Sequence, residues 1–199
     1  MVKRRGGGTF ENLVVFPGGA VDAADRSHTG ESGGDGASRA AALRELAEET
    51  GLLSVRGGLI GSPRLGDTDL YRWLAGEGLS LDTESLVLVS RWVTPEEMSY
   101  RFDTRFYLLA AAETPEVVVD EGELVGHAWA TPESALEMGI SGRWTMILPT
   151  LAHLRWLSRR ESIDDAVASA RGADGRTLIA PRVLDDGSLL PVHLPAEPP

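Results

Sequence analysis

Apolar residues recur along the chain at two different spacings, and each spacing predicts its own kind of element. The run Leu13-Val14-Val15-Phe16 stops at Pro17-Gly18-Gly19, which predicts a buried strand closed by a turn. Residues 22–38 are rich in Gly, Ser and Asp and read as a surface loop. From Ser38 to Thr50 the chain carries strong helix formers without Gly or Pro. Ser38 is the expected N-cap there, Ala40, Leu43, Leu46 and Ala47 the apolar stripe, and Gly51 the left-handed stop. A short helix is expected over 68–77, around Leu70, Trp73 and Leu74, and a strand over 85–93. Thr94-Pro95-Glu96-Glu97 has the spacing of a capping box that opens a helix. Strict alternation over 102–111 predicts a strand with Phe102, Thr104, Phe106 and Leu108 on one face and Arg101, Asp103, Arg105 and Tyr107 on the other. A further strand is expected over 123–130, a helix opened by Thr131-Pro132-Glu133, and helices over 144–159 and 162–170. The Pro-rich end reads as an extended arm. Strands and helices interleave, so the class is α/β or α+β with a mixed sheet.

Composition narrows the chemistry. With 42% hydrophobic and 25% charged residues the chain has the balance of a folded domain. There is no Cys, which excludes disulfides, thiolate metal sites and a cysteine nucleophile. Nineteen Lys and Arg against thirty Asp and Glu leave a formal charge of −11, which argues against a nucleic-acid polymer as partner. An anionic small molecule remains compatible if metal ions supply positive charge. The basic start Lys3-Arg4-Arg5 is followed by no apolar core of secretory length, and no segment has the run needed to cross a bilayer. Cytoplasmic residence without membrane attachment is therefore the default expectation.

The chemistry concentrates in Arg44-Glu45-Leu46-Ala47-Glu48-Glu49-Thr50-Gly51-Leu52. On a helix Glu45, Glu48 and Glu49 stand at i, i+3 and i+4, so three carboxylates converge on one face and repel. A solvated acidic face is the plain reading of such a pattern. The other is a site for hard divalent cations, which favour carboxylate and water oxygens. Arg44 directly before the first Glu, Gly51 at the helix end and the Phe16-Pro17-Gly18-Gly19 turn upstream specify more than a solvated face requires.

Arg-Glu-x-x-Glu-Glu-x-Gly with this turn before it resembles the Nudix box. Phe16 to Asp22 with Asp25, Ser90 to Pro95, Arg101 to Phe106, and Leu148-Pro149-Thr150 resemble the coenzyme A diphosphatase-like branch of that superfamily, over about residues 10–157. The resemblance implies an α/β/α sandwich with a mixed sheet, an inserted loop before the box helix and C-terminal helices. It places the domain at 1–171, with its first strand expected to be missing at the N-terminus, and the arm at 172–199. Met1 is then expected to be internal to a longer chain, or the sequence to be shortened.

The implied activity is hydrolysis of a pyrophosphate bond in a nucleoside diphosphate linked to another group, with coenzyme A or acyl-CoA as the branch's substrate. The cofactor is Mg²⁺ or Mn²⁺. The resemblance assigns Glu45, Glu48 and Glu49 to the metal, with a backbone carbonyl at Gly18 or Gly19 completing the set, and Arg44 to orienting a carboxylate. Glu123, or nearby Glu121, is the later general base besides a box Glu. Arg4, Arg5, Arg101 and Arg105 are the candidate phosphate contacts, with Arg5 and Arg101 foremost; a structural charge pair with Asp103 is the other reading of Arg101 and Arg105. A homodimer is the assembly often met in the family. The alternative activity is a catalytically silent nucleotide-binding module.

The chain departs from the family pattern in three ways. The Gly19–Arg44 interval is long, Gly36 stands where a Glu is usual (with Asp35 or Glu31 as substitutes), and Gly8 and Asn12 break the coenzyme A signature. Elsewhere, Gly6-Gly7-Gly8 and the glycines of 30–36 lack the residues of a phosphate-cradling loop, and the four His are scattered. The five Trp sit in apolar contexts and are expected mostly in the core.

Overall fold

Several helix starts in this protein are set by short polar side chains, including one that the pattern of apolar positions does not reveal. In the computed structural model, which describes residues 1–5, 12–30, 35–63, 69–113, 115–183 and 194, Asp22 caps helix α1 (Ala23–Thr29). Its side chain accepts the Asp25 N–H at 3.0 Å, and Asp25 accepts the Asp22 N–H at 2.9 Å. This reciprocal cap, built from two aspartates, makes a helix where composition predicts a surface loop. Helix α2 (Asp35–Thr50) begins before the expected N-cap, Ser38, and Asp35 in its first turn pairs with Arg39 at 2.6 Å one turn on. Gly51 ends α2 at φ 68°, the left-handed stop its position predicts. The Gly6–Gly8 run, most of the glycine-rich segment with Glu31, and the Pro-rich end lie outside the described residues.

The chain divides into two units. The first comprises Met1–Leu86 and Leu109–Trp129. Its main sheet has the order β2-β1-β7, with β1 (Val2–Arg4) antiparallel to both β2 (Val14–Val15) and β7 (Leu124–His127). The basic start itself thus forms a strand, β1, which is central among the described strands of this sheet. Val2 is buried, Lys3 is exposed, and the register slips between Lys3 and Arg4. β3 (Leu52–Val55) and β4 (Gly58–Gly61) form a hairpin directly after α2, and α3 (Leu70–Glu77) is capped by Asp69. Ala40, Leu43, Leu53, Leu74 and Leu124 are fully buried here. Trp129 is 63% exposed, against the expectation of a core tryptophan, because it follows the last residue of β7.

The second unit comprises Val87–Leu108 and Ala130–Pro199. β5 (Leu86–Val93) lies between β6 (Asp103–Leu109) and β8 (Leu178–Ile179). β8 runs parallel to β5, so part of the expected arm joins the sheet. Thr94-Pro95-Glu96-Glu97 opens no helix; Thr94 instead accepts the Phe102 N–H at 3.0 Å and donates its own N–H to the Phe102 carbonyl. Helices α4 (Pro132–Ile140), α5 (Leu148–Leu157) and α6 (Ile163–Gly172) follow. Val87, Val89, Trp92, Trp156, Ala166 and Ile179 form the core, with Phe106 and Leu108 against it.

One polar chain runs through this second core. The Trp92 indole donates to Ser90 Oγ at 2.9 Å, and Ser90 Oγ lies 2.7 Å from His153 Nε2. His153 Nδ1 lies 2.6 Å from the Pro149 carbonyl, which can only accept, so Nδ1 carries the proton and Nε2 accepts from Ser90. Burial holds the His153 pKa down at about 4, below its ordinary 6.5. The neutral ring is therefore the native form. Its share of stability is complete above pH 6.5 and declines as pH falls from 6.5 toward 4, where the unfolded chain binds the proton first. Urea unfolding followed across that window is expected to show this slope, and His153→Gln to flatten it; an unchanged slope in the variant would assign the effect to other groups.

Candidate active site

A single guanidinium organises the acidic face of α2. All five N–H groups of Arg44 are used. Nε and Nη2 grip the two carboxylate oxygens of Asp25 at 3.0 and 3.1 Å, and Nη2 also donates to the Ala20 carbonyl at 2.9 Å. Nη1 turns the other way and divides its hydrogens between Glu45 (2.9 Å) and Glu48 (2.7 Å). Asp25 has no exposed surface, yet its carboxylate is saturated, since Tyr71 from α3 donates its phenol O–H to the same group. Burial pushes Asp25 up, but the hydrogen bonds of Arg44 and then Tyr71 outweigh it and hold the group below the ordinary range. Burial likewise pulls Arg44 down, and Asp25, Glu45 and Glu48 more than reverse this. The same contacts raise Tyr71, burial first and the Asp25 hydrogen bond second.

Glu49 faces the turn instead. Its side chain is 2% exposed. Oε2 accepts the Gly18 N–H at 3.0 Å, and Oε1 accepts from Arg4 of β1 at 2.9 Å. Burial pushes the Glu49 pKa up to about 7 even with Arg4 beside it, and Glu45 and Glu123 add to the rise. Glu45 is raised too, by burial and then by Glu48 and Glu123 against the pull of Arg44. At Gly19 a Cβ would overlap the Glu45 carboxylate, so any larger residue there would push that side chain off the turn. Glu123 is exposed at the start of β7; the Asp120 and Val118 N–H groups close the last carbonyls of α2 at Glu49 (3.2 Å) and Thr50 (2.9 Å), which brings this segment to the helix end.

Six of the residues expected from the sequence, Gly19, Arg44, Glu45, Glu48, Glu49 and Glu123, thus belong to one neighbourhood of the first unit. Arg5 of that unit donates to the Glu121 carbonyl. Arg101 belongs to the second unit and pairs with Glu96 at 3.1 Å. Asp25 and Tyr71 received no role from the sequence. The Asp22-x-x-Asp25 spacing marks the first through its cap, whereas nothing local marks Tyr71, since its partner lies 46 positions away.

Among the described residues no three His or carboxylate side chains are gathered into a ready coordination group. The donors still suit a hard divalent cation. They are carboxylate oxygens and the carbonyls of the Gly18-Gly19 turn, and at Glu45 and Glu49 burial outweighs the arginine beside each carboxylate. Glu45, Glu49 and that turn would hold such an ion, with Glu48 at 47% exposure on the solvent side.

The Asp25–Arg44 pair is the part whose loss should cost most. Asp25→Asn is expected to destabilise the protein by about 3 kcal/mol by leaving a buried guanidinium under-compensated, and Tyr71→Phe by about 1 kcal/mol. Urea titration of both variants checks this; a wild-type midpoint for Asp25→Asn would refute it.

Comparison with known proteins places this arrangement. The model of the Nudix domain matches residues 1–148. A protein named nudix hydrolase 7 from Caenorhabditis elegans is 28% identical over 164 residues, which are 77% of this chain and 52% of that protein. The human acyl-coenzyme A diphosphatase NUDT19 is 35% identical over 78 residues, 38% of this chain and 21% of that one. The chain therefore spans about half of the first relative and about a fifth of the second. The crystal structure of a Nudix hydrolase from Alicyclobacillus acidocaldarius superposes with a TM-score of 0.72 at 30% identity, covering 84% of this chain and 86% of that one. An α/β fold of this kind, with the acidic helix set against a proline–glycine turn, identifies the chain as a member of the Nudix family.

Proposed function

We propose that the protein hydrolyses the pyrophosphate bond of a nucleoside diphosphate linked to another group, with Mg²⁺ or Mn²⁺. The observation that carries the reading is the arrangement of Glu45, Glu48 and Glu49 around Arg44 and the Gly18-Gly19 turn. A face so rich in carboxylates repels a pyrophosphate unless cations intervene. When bound, a divalent cation supplies positive charge to the phosphate oxygens and acidifies water.

The chain's own groups divide the remaining work. Arg44, immobilised on Asp25, sets the positions of the Glu45 and Glu48 oxygens to which it donates. Gly19 leaves room for Glu45 against the turn. Glu123 takes the proton of the attacking water in this reading; its exposed carboxylate is close enough for its charge to act on Glu45 and Glu49. Arg5 is the cationic contact assigned to the substrate. The partial match to an acyl-coenzyme A diphosphatase supports coenzyme A or an acyl-CoA as the first substrate to try.

A panel of coenzyme A, acyl-CoA, ADP-ribose, NADH, dinucleoside polyphosphates and nucleoside triphosphates tests the reading with Mg²⁺ or Mn²⁺. One member is expected to turn over, and a chelator to abolish its turnover. Glu48→Gln and Glu49→Gln are each expected to lower kcat/KM by about 10²–10⁴-fold. Equal residual turnover in all three proteins would show that the site is wrongly assigned, and binding without turnover would favour a silent nucleotide-binding module.

A further inference from the structure

Arg4 stands where two oxygen donors of the site meet. Its Nη2 donates both to the Gly18 carbonyl and to Glu49 Oε1. One donor belongs to the turn after β2 and the other to the last turn of α2, so a single cationic nitrogen joins the two elements. Glu49 is almost wholly buried, and among the described residues Arg4 is its ion-pair partner. The two guanidinium groups of the site differ in freedom. Arg44 is held through all three nitrogens, whereas among the described residues Arg4 engages the site through Nη2 alone and keeps 26% of its side chain exposed.

We propose that Arg4 is the site's resident counter-cation and that a divalent metal ion and Arg4 compete for the Gly18 carbonyl and the Glu49 carboxylate. A divalent ion held by these oxygens would put its charge beside the guanidinium already on them, so each would weaken the other's hold. Without metal, Arg4 shields a carboxylate that is costly to bury alone. With metal, the Arg4 side chain is released toward solvent at the mouth of the site, as a long cationic arm free to meet an anionic ligand. The inference rests on the reading that a hard cation binds at this cluster.

Mn²⁺ binding, followed by calorimetry without substrate, tests it in wild type, Arg4→Met, Lys3→Met and Glu49→Gln. Arg4→Met is expected to bind Mn²⁺ about tenfold more tightly than wild type, since a charge-assisted pair no longer has to be broken. Lys3→Met removes the same charge from an exposed position of the same strand and is expected to match wild type. Glu49→Gln is expected to bind more weakly. Equal affinity in Arg4→Met and wild type, with Glu49→Gln weaker, overturns the competition but leaves the metal site standing; equal tightening by Lys3→Met reduces it to net charge and also overturns it. No Mn²⁺ binding in any of the proteins overturns the metal reading itself. A second measurement needs no variant. In arginine-labelled wild type, the Arg4 guanidinium protons are expected to lose protection from solvent exchange on adding Mg²⁺ while those of Arg44 keep theirs; unchanged Arg4 protection in the Mg²⁺-saturated protein overturns the proposal.

Discussion

A buried guanidinium with every hydrogen spoken for is the constraint on which the acidic helix face depends. Glu45 and Glu48 would separate if left to their mutual repulsion. Arg44 holds both through one nitrogen, and can do so because its other two nitrogens are anchored on Asp25 and the Ala20 carbonyl. Asp25 in turn is tolerable without exposed surface only because Arg44, Tyr71 and the Asp22 N–H satisfy both of its oxygens. Each member of the set makes the burial of the next affordable, so the network acts as a unit rather than as separate ion pairs.

That network gives the long interval between the turn and α2 a physical purpose. The interval is not simply a loop carried on the surface. It folds into α1, whose third residue is Asp25, and it delivers a carboxylate to the back of Arg44. α3 contributes Tyr71 to the same carboxylate. Gly36, which stands where the family pattern has a Glu, lies in the first turn of α2. The described structure around Arg44 is instead completed from α1.

The last carboxylate of the same face shows a different solution to the same electrostatic problem. Glu49 points to the turn, where a backbone N–H and Arg4 answer it, and where burial nevertheless leaves its carboxyl easier to protonate than usual. Arg4 reaches it because β1 pairs with β2 and β7 on its two edges, so that the basic start of the chain becomes a central strand. A carboxylate face that is only partly neutralised by its own arginines is the feature on which the proposed cation and phosphate-anhydride chemistry rests.

The amino-acid sequence by itself determined the elements governed by local rules. The i, i+3, i+4 spacing of Glu45, Glu48 and Glu49 puts them on one helix face whatever the rest of the chain does, and Gly51 stops that helix because few other residues accept its dihedral angles. Thr131 before Pro132 starts α4 for equally local reasons. The family itself was legible from the same short segments. Tertiary structure alone decided where each carboxylate finds its counter-charge. Asp25 and Arg44 are 19 positions apart, Asp25 and Tyr71 46, and Arg4 and Glu49 45. Electrostatic pairing acts through space and has no sequence period, so Thr94-Pro95-Glu96-Glu97 can look like a helix start and become a strand-end turn, while a tyrosine with no motif around it completes the site.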